Sequence, residues 1–420
     1  MKCFPLLLLG LLATGWLHAQ EQRLTLDSAW HYAREYYPML KQKQVVDEVT
    51  ALQLRNIKTG YLPQVELGGK ATYQSDVVSI PIKLPNVSIP TIPKDQYNVE
   101  LQVKQTIWDG GATAGQRELQ LAQQKAEQQK VEVEMHKLRQ QVMQVYFNAL
   151  LWEENLAARQ QMHAEVKQRK ERLQAGVDNG TALASQVDIL KAELLRTEQQ
   201  VYEAQTGKHA AVQTLALLTG RDIRDNVQLE LPAAQPQQGG ELQRPELQLY
   251  RYQADVLQQQ GHLTGTRSMP RLSAFATGGY GRPGLNMLDN KFDFYYIGGL
   301  RLNWTLWNWH YNRTEKAILQ QQERTVAAQS ETFSLQTRSQ LLQQSAEISN
   351  LAAALEKDKE IVSLRKSVRT VSAAQLDNGV MTVHDYLTDL HAETQAVIAE
   401  KTHHVQWVYA TLNYQVIKGN

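Results

Sequence analysis

His384 and His391, with Asp385 and Asp389 between them, have the side chains best suited to metal chemistry, since imidazole nitrogens and carboxylate oxygens are common ligands of zinc. Their spacing argues against a shared ion, because the two histidines stand two helical turns apart, too far to share one ion without other ligands, so they read as solvated polar residues. His403 and His404 are adjacent and so leave a helix in different directions. Gly278-Gly279-Tyr280-Gly281 is glycine-rich, but no Gly-Lys-Ser/Thr follows, so it reads as a turn and not as a phosphate cradle. The chain has no His-Glu-x-x-His motif and no nucleophile elbow, and its single cysteine is Cys3. No catalytic, cofactor-binding or metal-ligating residue is assigned, and the chain reads as something other than an enzyme.

The elements that carry these residues follow from where proline is missing. None occurs between Pro93 and Pro232, or after Pro283, which leaves two long reaches free to be helical. The two reaches belong to two similar halves. Pro38 matches Pro245 and Pro63 matches Pro270 at one offset; Thr106-Ile107-Trp108-Asp109 matches Thr305-Leu306-Trp307-Asn308, and Asp178-Asn179-Gly180 matches Asp377-Asn378-Gly379, at an offset shorter by eight residues. The difference falls between Pro63 and Trp108, where the first copy carries a longer loop. The chain is a tandem duplication, with a first repeat over 20–220, a connector over 221–244 holding Pro232, Pro236 and Gly239-Gly240, and a second repeat over 245–420.

Residues 1–19 have the layout of a cleaved secretory signal: Lys2, an apolar run from Phe4 to Leu12, and small residues near Ala19. The whole chain has 44 Lys and Arg against 43 Asp and Glu, and loss of Lys2 with the signal makes them equal. Nucleic-acid binding, which calls for a basic excess, is not favoured. After the signal no apolar run reaches 18 residues, so a membrane would be met by strands.

Four segments alternate in strand fashion, near 64–74, 97–107, 271–281 and 292–306. In the first, Val65, Leu67, Ala71 and Tyr73 oppose Glu66, Lys70 and Thr72; in the second, Tyr97, Val99, Leu101 and Val103 oppose Glu100, Gln102 and Lys104. In the fourth, Phe294, Tyr296, Leu300 and Leu302 oppose Asp293, Arg301 and Asn303. Each is about the 9–11 residues of a tilted membrane strand, and a soluble sheet with one wet face fits the same pattern. Asp76–Gln96, with Pro81, Pro85, Pro90 and Pro93, and Gly281–Asn290 read as the loops between paired strands.

Short helices are expected at Leu26–Tyr37, with Thr25 as cap, at Met39–Lys58 and at Pro245–Thr266. From Ala112 to Val177, Leu138, Val142, Val145, Ala149, Trp152 and Leu156 recur at steps of four and three, which is coiled-coil spacing. A helix of that length reaches about 100 Å. Asp178-Asn179-Gly180 ends it, and a return helix from Ala184 is capped at Gly220. The second repeat repeats the hairpin, with Tyr311–Leu376 outward and Val383–Val416 back.

Four membrane strands cannot close a barrel, and their unpaired edges would cost several kcal/mol per amide in lipid. Two chains would give a barrel filled by its own side chains, and three give one that holds water, so a homotrimer is expected. A secreted structural or adhesive coiled-coil protein without a pore is the competing class.

Motif order narrows the choice. LTLDSAW (24–30), YLPQVEL (61–67), QTIWDGG (105–111), RPEL (244–247), WTLWNW (304–309) and the tips DNGTALASQVDILKAE and DNGVMTVHDYL resemble the TolC family of outer-membrane efflux proteins over essentially everything after the signal. The resemblance implies a mainly α chain with a membrane β-barrel: a homotrimeric twelve-strand barrel over a twelve-helix periplasmic tunnel in the cell outer membrane. It implies a passive exit duct of a tripartite efflux or type I secretion system, docked by a periplasmic membrane-fusion adaptor on an inner-membrane pump of RND or ABC type. The adaptor-docking tips would be Gly180, Thr181, Ala182, Leu183, Ala184 and Ser185 with Gly379, Val380, Met381, Thr382 and Val383. Asp188 and Asp385 would ring the periplasmic aperture and attract cations. The positions of a latch tyrosine and arginine in relatives are here Leu376 and Met381. The barrel lumen would carry Glu66, Lys70, Glu100, Lys104 and Arg301.

Overall fold

The computed structural model describes residues 23–78, 93–235, 239–286 and 289–419. The expected signal and most of the first proline loop, including Pro81, Pro85 and Pro90, lie outside the described residues. In chain order the elements are β1 (Arg23–Leu24), α1 (Leu26–Tyr36), α2 (Met39–Thr59), β2 (Gln64–Tyr73), β3 (Asp95–Trp108), α3 (Ala112–Asp178) and α4 (Ala184–Thr219). Then come β4 (Gln228–Leu229), α5 (Pro245–Thr266), β5 (Arg271–Arg282), β6 (Asp293–Asn303), α6 (Tyr311–Asp377) and α7 (Val383–Lys418). The duplication holds to the residue in the hairpins: α3 and α6 each have 67 residues, α4 and α7 each 36.

Local chemistry sets these bounds. Thr25 caps α1 in a reciprocal box, its Oγ1 accepting from the Ser28 amide at 3.2 Å while its own amide donates to Ser28 Oγ at 3.1 Å. Pro245 opens α5, where its fixed φ suits a first helical turn and its missing N–H is not needed. Gly220 ends α4 in the left-handed region at φ +63°.

The chain forms two compact units, each drawing on both repeats. One comprises Met1–Pro38, Met135–Gln243 and Thr337–Asn420. Its core includes Val142, Tyr146, Val212, Leu215, Val227 and Val405, all nearly or fully buried. The Tyr146 hydroxyl lies 2.7 Å from the carbonyls of Leu24 and Glu230, so it ties together the ends of the parallel pair β1–β4. The connector therefore supplies a strand, β4, that this tyrosine anchors. Burial pushes the Tyr146 hydroxyl pKa well up and keeps it a donor.

The other unit comprises Met39–Glu134 and Arg244–Gln336 and holds a four-stranded antiparallel sheet in the order β2-β3-β5-β6. The two repeats meet at β3–β5, whose register includes Glu100 opposite Gly279. Among the described residues β2 and β6 each pair on one side only.

One strand ends earlier than its alternation suggests. The pattern runs to Leu306, but β6 stops at Asn303, opposite Arg271. The residue before Arg271 is Pro270, which has no N–H to give, so the ladder has no partner for residues 304–306. Alternation reports a face, while ladder length depends on the neighbouring strand.

Candidate functional site

The two hairpin tips are built alike. Gly180 and Gly379 have φ of +73° and +71°, and a Cβ at either would meet nothing within 4 Å, so backbone conformation alone demands glycine there. Gly180 N–H donates to Val177 O at 3.0 Å and Thr181 N–H to Gly176 O at 2.8 Å; Gly379 N–H donates to Leu376 O at 3.0 Å and Val380 N–H to Gln375 O at 2.9 Å. This is the Schellman closure, which satisfies the last helical carbonyls. Asn179 and Asn378 add matching side-chain bonds to Ala175 and Ala374, both at 2.8 Å.

Beyond the turns the tips differ. Thr382 caps α7, accepting from the Asp385 amide at 3.2 Å and donating to Asp385 Oδ2 at 2.7 Å, so Asp385 serves as a capping partner. Leu183 occupies the same place before α4 with no side-chain cap, and is exposed. Asp188 is exposed and pairs with Lys191 at 3.1 Å, which offsets part of its charge. Ala184, Ser185 and Val380 are exposed, Ala182 and Met381 are half-buried, and Val383 is buried.

Behind the tips Met162, Val166, Leu190, Ala373, Val383, Tyr386, Leu387 and Leu390 form a buried cluster. Leu376 and Met381, the two positions that the resemblance assigns to a latch, pack against this cluster. A groove of about 500 Å³ runs between the tips, lined among others by Leu173, Leu376, Met381, Arg172 and Asn378.

A buried ionic cross-link, which the sequence reading missed, fastens the two repeats beneath the groove. Arg169 of α3, only 10% exposed, donates to Asp377 of α6 at 2.6 Å and to Glu165 at 3.3 Å. Tyr386 of α7 donates to Glu165 at 2.7 Å, and the guanidinium lies 5.1 Å from its ring centre. Burial would raise the Glu165 pKa, but hydrogen bonds from Tyr386 and Arg169, with the nearby guanidinium charges, hold it below the usual carboxylate range. Arg369 bonds Glu393 at 2.7 Å close by. The partners lie up to 221 positions apart, and only the duplicated hairpin placed them within reach.

The histidine cluster does not assemble. His384 is exposed, while His391 is half-buried against α4, 3.2 Å from Glu193 and 2.7 Å from Arg196. Burial, with the Arg196 charge, lowers the His391 pKa against the opposing pull of Glu193. His403 bonds Asp358 at 2.7 Å. Among the described residues no group of three or more potential ligands could hold a metal ion.

On the sheet, Glu66, Lys70, Glu100, Lys104 and Arg301 share one face, since Lys70 pairs Asn98, Glu66 pairs Gln102, Gln64 pairs Lys104 and Arg301 pairs Ser273. Two rings lie flat on this face over glycines: Tyr295 over Gly279, with its hydroxyl 2.9 Å from Asn98 Oδ1, and Phe275 over Gly299, with Arg301 4.8 Å from its centre. The opposite face is apolar and open, with Leu67 76%, Phe294 80% and Tyr296 86% exposed. No described helix is long and apolar enough to cross a membrane.

Residues 33–221 match the family described as outer membrane efflux protein. No curated protein matches the chain. Among solved structures, the outer membrane protein VceC from Vibrio cholerae is similar at 15% identity and a TM-score of 0.69, covering 94% of this chain and 96% of that one. The Campylobacter jejuni CmeC outer membrane channel gives 16% identity and a TM-score of 0.66 over 94% and 84% of the two chains. The open state of the Neisseria gonorrhoeae MtrE outer membrane channel gives 14% and 0.66 over 94% and 89%. At such identities the likeness is one of fold.

Proposed function

We propose that this chain, which resembles the outer membrane efflux proteins over residues 33–221 and shares the fold of their channels, works as a homotrimeric exit duct engaged from the periplasm by an adaptor and an inner-membrane pump. The chain is an outer-membrane efflux component; the trimer, the closed barrel and the docking partners are the proposed part. One observation carries the reading: a sheet with one largely apolar exposed face, one polar face and, among the described residues, two singly paired edges leads directly into paired long helices.

In lipid the free edges of β2 and β6 need partners, and a second and third copy can supply them edge to edge. Twelve strands then enclose water, with Glu66, Lys70, Glu100, Lys104 and Arg301 on the inner wall. Mixed signs on that wall make charge selectivity weak. The duct spends no energy itself; the pump and adaptor do.

The tips Gly180–Ser185 and Gly379–Val383 are the docking surface in this reading. Their backbone bonds are closed internally, so a partner hairpin meets small and apolar side chains over a groove of suitable size. Asp188 and Asp385 lie one turn further and, in threes, would draw cations to the aperture. Planar bilayers test the conduit: discrete water-filled channels from folded trimer are expected, and a folded trimer that never conducts overturns the reading. Replacing Asp188 and Asp385 by Ala is expected to weaken block by multivalent cations, and unchanged block would locate the ring elsewhere.

A further inference from the structure

The polar face of the sheet is not polar throughout. Phe275, Ile297 and Tyr295 stand on it with Lys104 and Arg301, because Phe275 pairs Lys104 and Gly299, Thr277 pairs Ile297, Gly279 pairs Tyr295 and Ser273 pairs Arg301. Ile297 is 43% exposed. Both rings depend on glycine: a Cβ at Gly279 would run into the Tyr295 ring, and one at Gly299 would stand 3.4 Å from the Phe275 ring. The three side chains make an apolar strip along β5 and β6 on a wall that is otherwise hydrophilic.

Arg301 is built up from this strip. Gly299 lets Phe275 lie against the sheet, and the guanidinium of Arg301 lies over that ring, 4.8 Å from its centre. A guanidinium held in this way still offers a fork of N–H donors whose shape matches a carboxylate or sulfonate. Among the described residues Arg301 has no carboxylate partner, and neither has Lys104 or Arg271. Arg271, opposite Asn303, adds a third cation toward the end where the strands join the helices. The nearby acids are placed elsewhere. Glu100 accepts from Asn98 and from the Tyr295 hydroxyl, both at 3.4 Å, at the other end of the strip, and Glu66 stands on β2, across the sheet from β6.

We infer that this strip binds amphipathic organic anions as they pass through the duct. The acid head bonds to Arg301, with the charge of Lys104 beside it, and the apolar body lies on Ile297 and Tyr295. The inference rests on the duct reading, which turns this face to the lumen, and it commits to a small solute with one anionic head. Such a stop delays the solute without excluding others, so selectivity among simple ions stays weak.

Planar bilayers holding the full mature chain test it with three probes: naphthalenesulfonate as the amphipathic anion, methanesulfonate as the head alone, and naphthylmethylammonium as the same body with opposite charge. Naphthalenesulfonate is expected to interrupt the parent current in a concentration-dependent way, and the other two at equal concentration are not. Arg301→Gln is expected to raise the half-blocking concentration about tenfold, the loss of one charge-assisted pair. Arg301→Lys recovers part of this, because charge returns without the fork. Ile297→Thr, which keeps every cation, is expected to weaken the block severalfold. Equal block by methanesulfonate or by the ammonium overturns the site, and so does parental block in Arg301→Gln or Ile297→Thr channels. Parent channels that naphthalenesulfonate never interrupts overturn the site and leave the duct reading standing. A folded parent that forms no channels refutes the duct reading, and the site with it.

Discussion

Arg169 and Asp109 carry more of the local structure than any residue on the outer surface. Arg169 is the buried centre of the cross-link among α3, α6 and α7, and Asp377 opposite is about half exposed, so the pair is only partly desolvated. Arg169→Ala is expected to cost about 2 kcal/mol, between the values typical of exposed and fully buried pairs. A lowered thermal midpoint with normal helix content checks it. Asp109 accepts from the amides of Gly111 and Thr113 at 2.9 and 2.6 Å and from Tyr61 Oη at 2.8 Å. Its burial works upward on its pKa, but these bonds outweigh it and hold the carboxyl at about 2 instead of 3.8. A depressed folded value stabilises above the unfolded one and is lost as pH falls through the folded one. Asp109 therefore contributes fully above about pH 5 and progressively less down to about pH 2, with about 2 kcal/mol at stake. Asp109→Ala is expected to lower the unfolding midpoint at pH 7 and to lower it much less at pH 2; an equal loss at both would contradict the assignment. The sequence displayed this aspartate within a repeated motif, but the bond it accepts from Tyr61, 48 positions away, is one that spacing could not reveal.

At the level of elements, the long helices were legible because proline's absence, heptad spacing and the Asp-Asn-Gly stops all point the same way, and α3, α4, α6 and α7 end within a residue or two of where those signals place them. The early end of β6 was not, since it depends on Pro270 in a neighbouring strand, and β4 was hidden in a connector rich in proline and glycine. Among the described residues one helix face stays exposed. On α6, Ile361, Leu364, Val368 and Val371 are exposed at steps of three and four, the seam spacing of packed helices. L364E/V368E is expected to leave helix content unchanged and to abolish trimers in cross-linking; trimers at parental yield would assign that seam to some other contact.

For the molecule as a whole, the proposed docking role requires that the tips bind a partner without holding the trimer together. Charged replacements at Gly180, Leu183 or Gly379 are therefore expected to abolish export while trimers persist, as read by efflux assays beside cross-linking. Normal export in such variants would remove the docking role. In the proposed duct the chain carries no filter for cargo, because a polar wall of mixed sign would admit many solutes and choice would belong to the pump. Everything else follows from a sheet that is unfinished in one copy. Native mass spectrometry of the mature protein released from detergent micelles measures that directly: three times the mass of one mature chain is expected, and a stable, folded single chain that stays in solution without detergent would contradict the account.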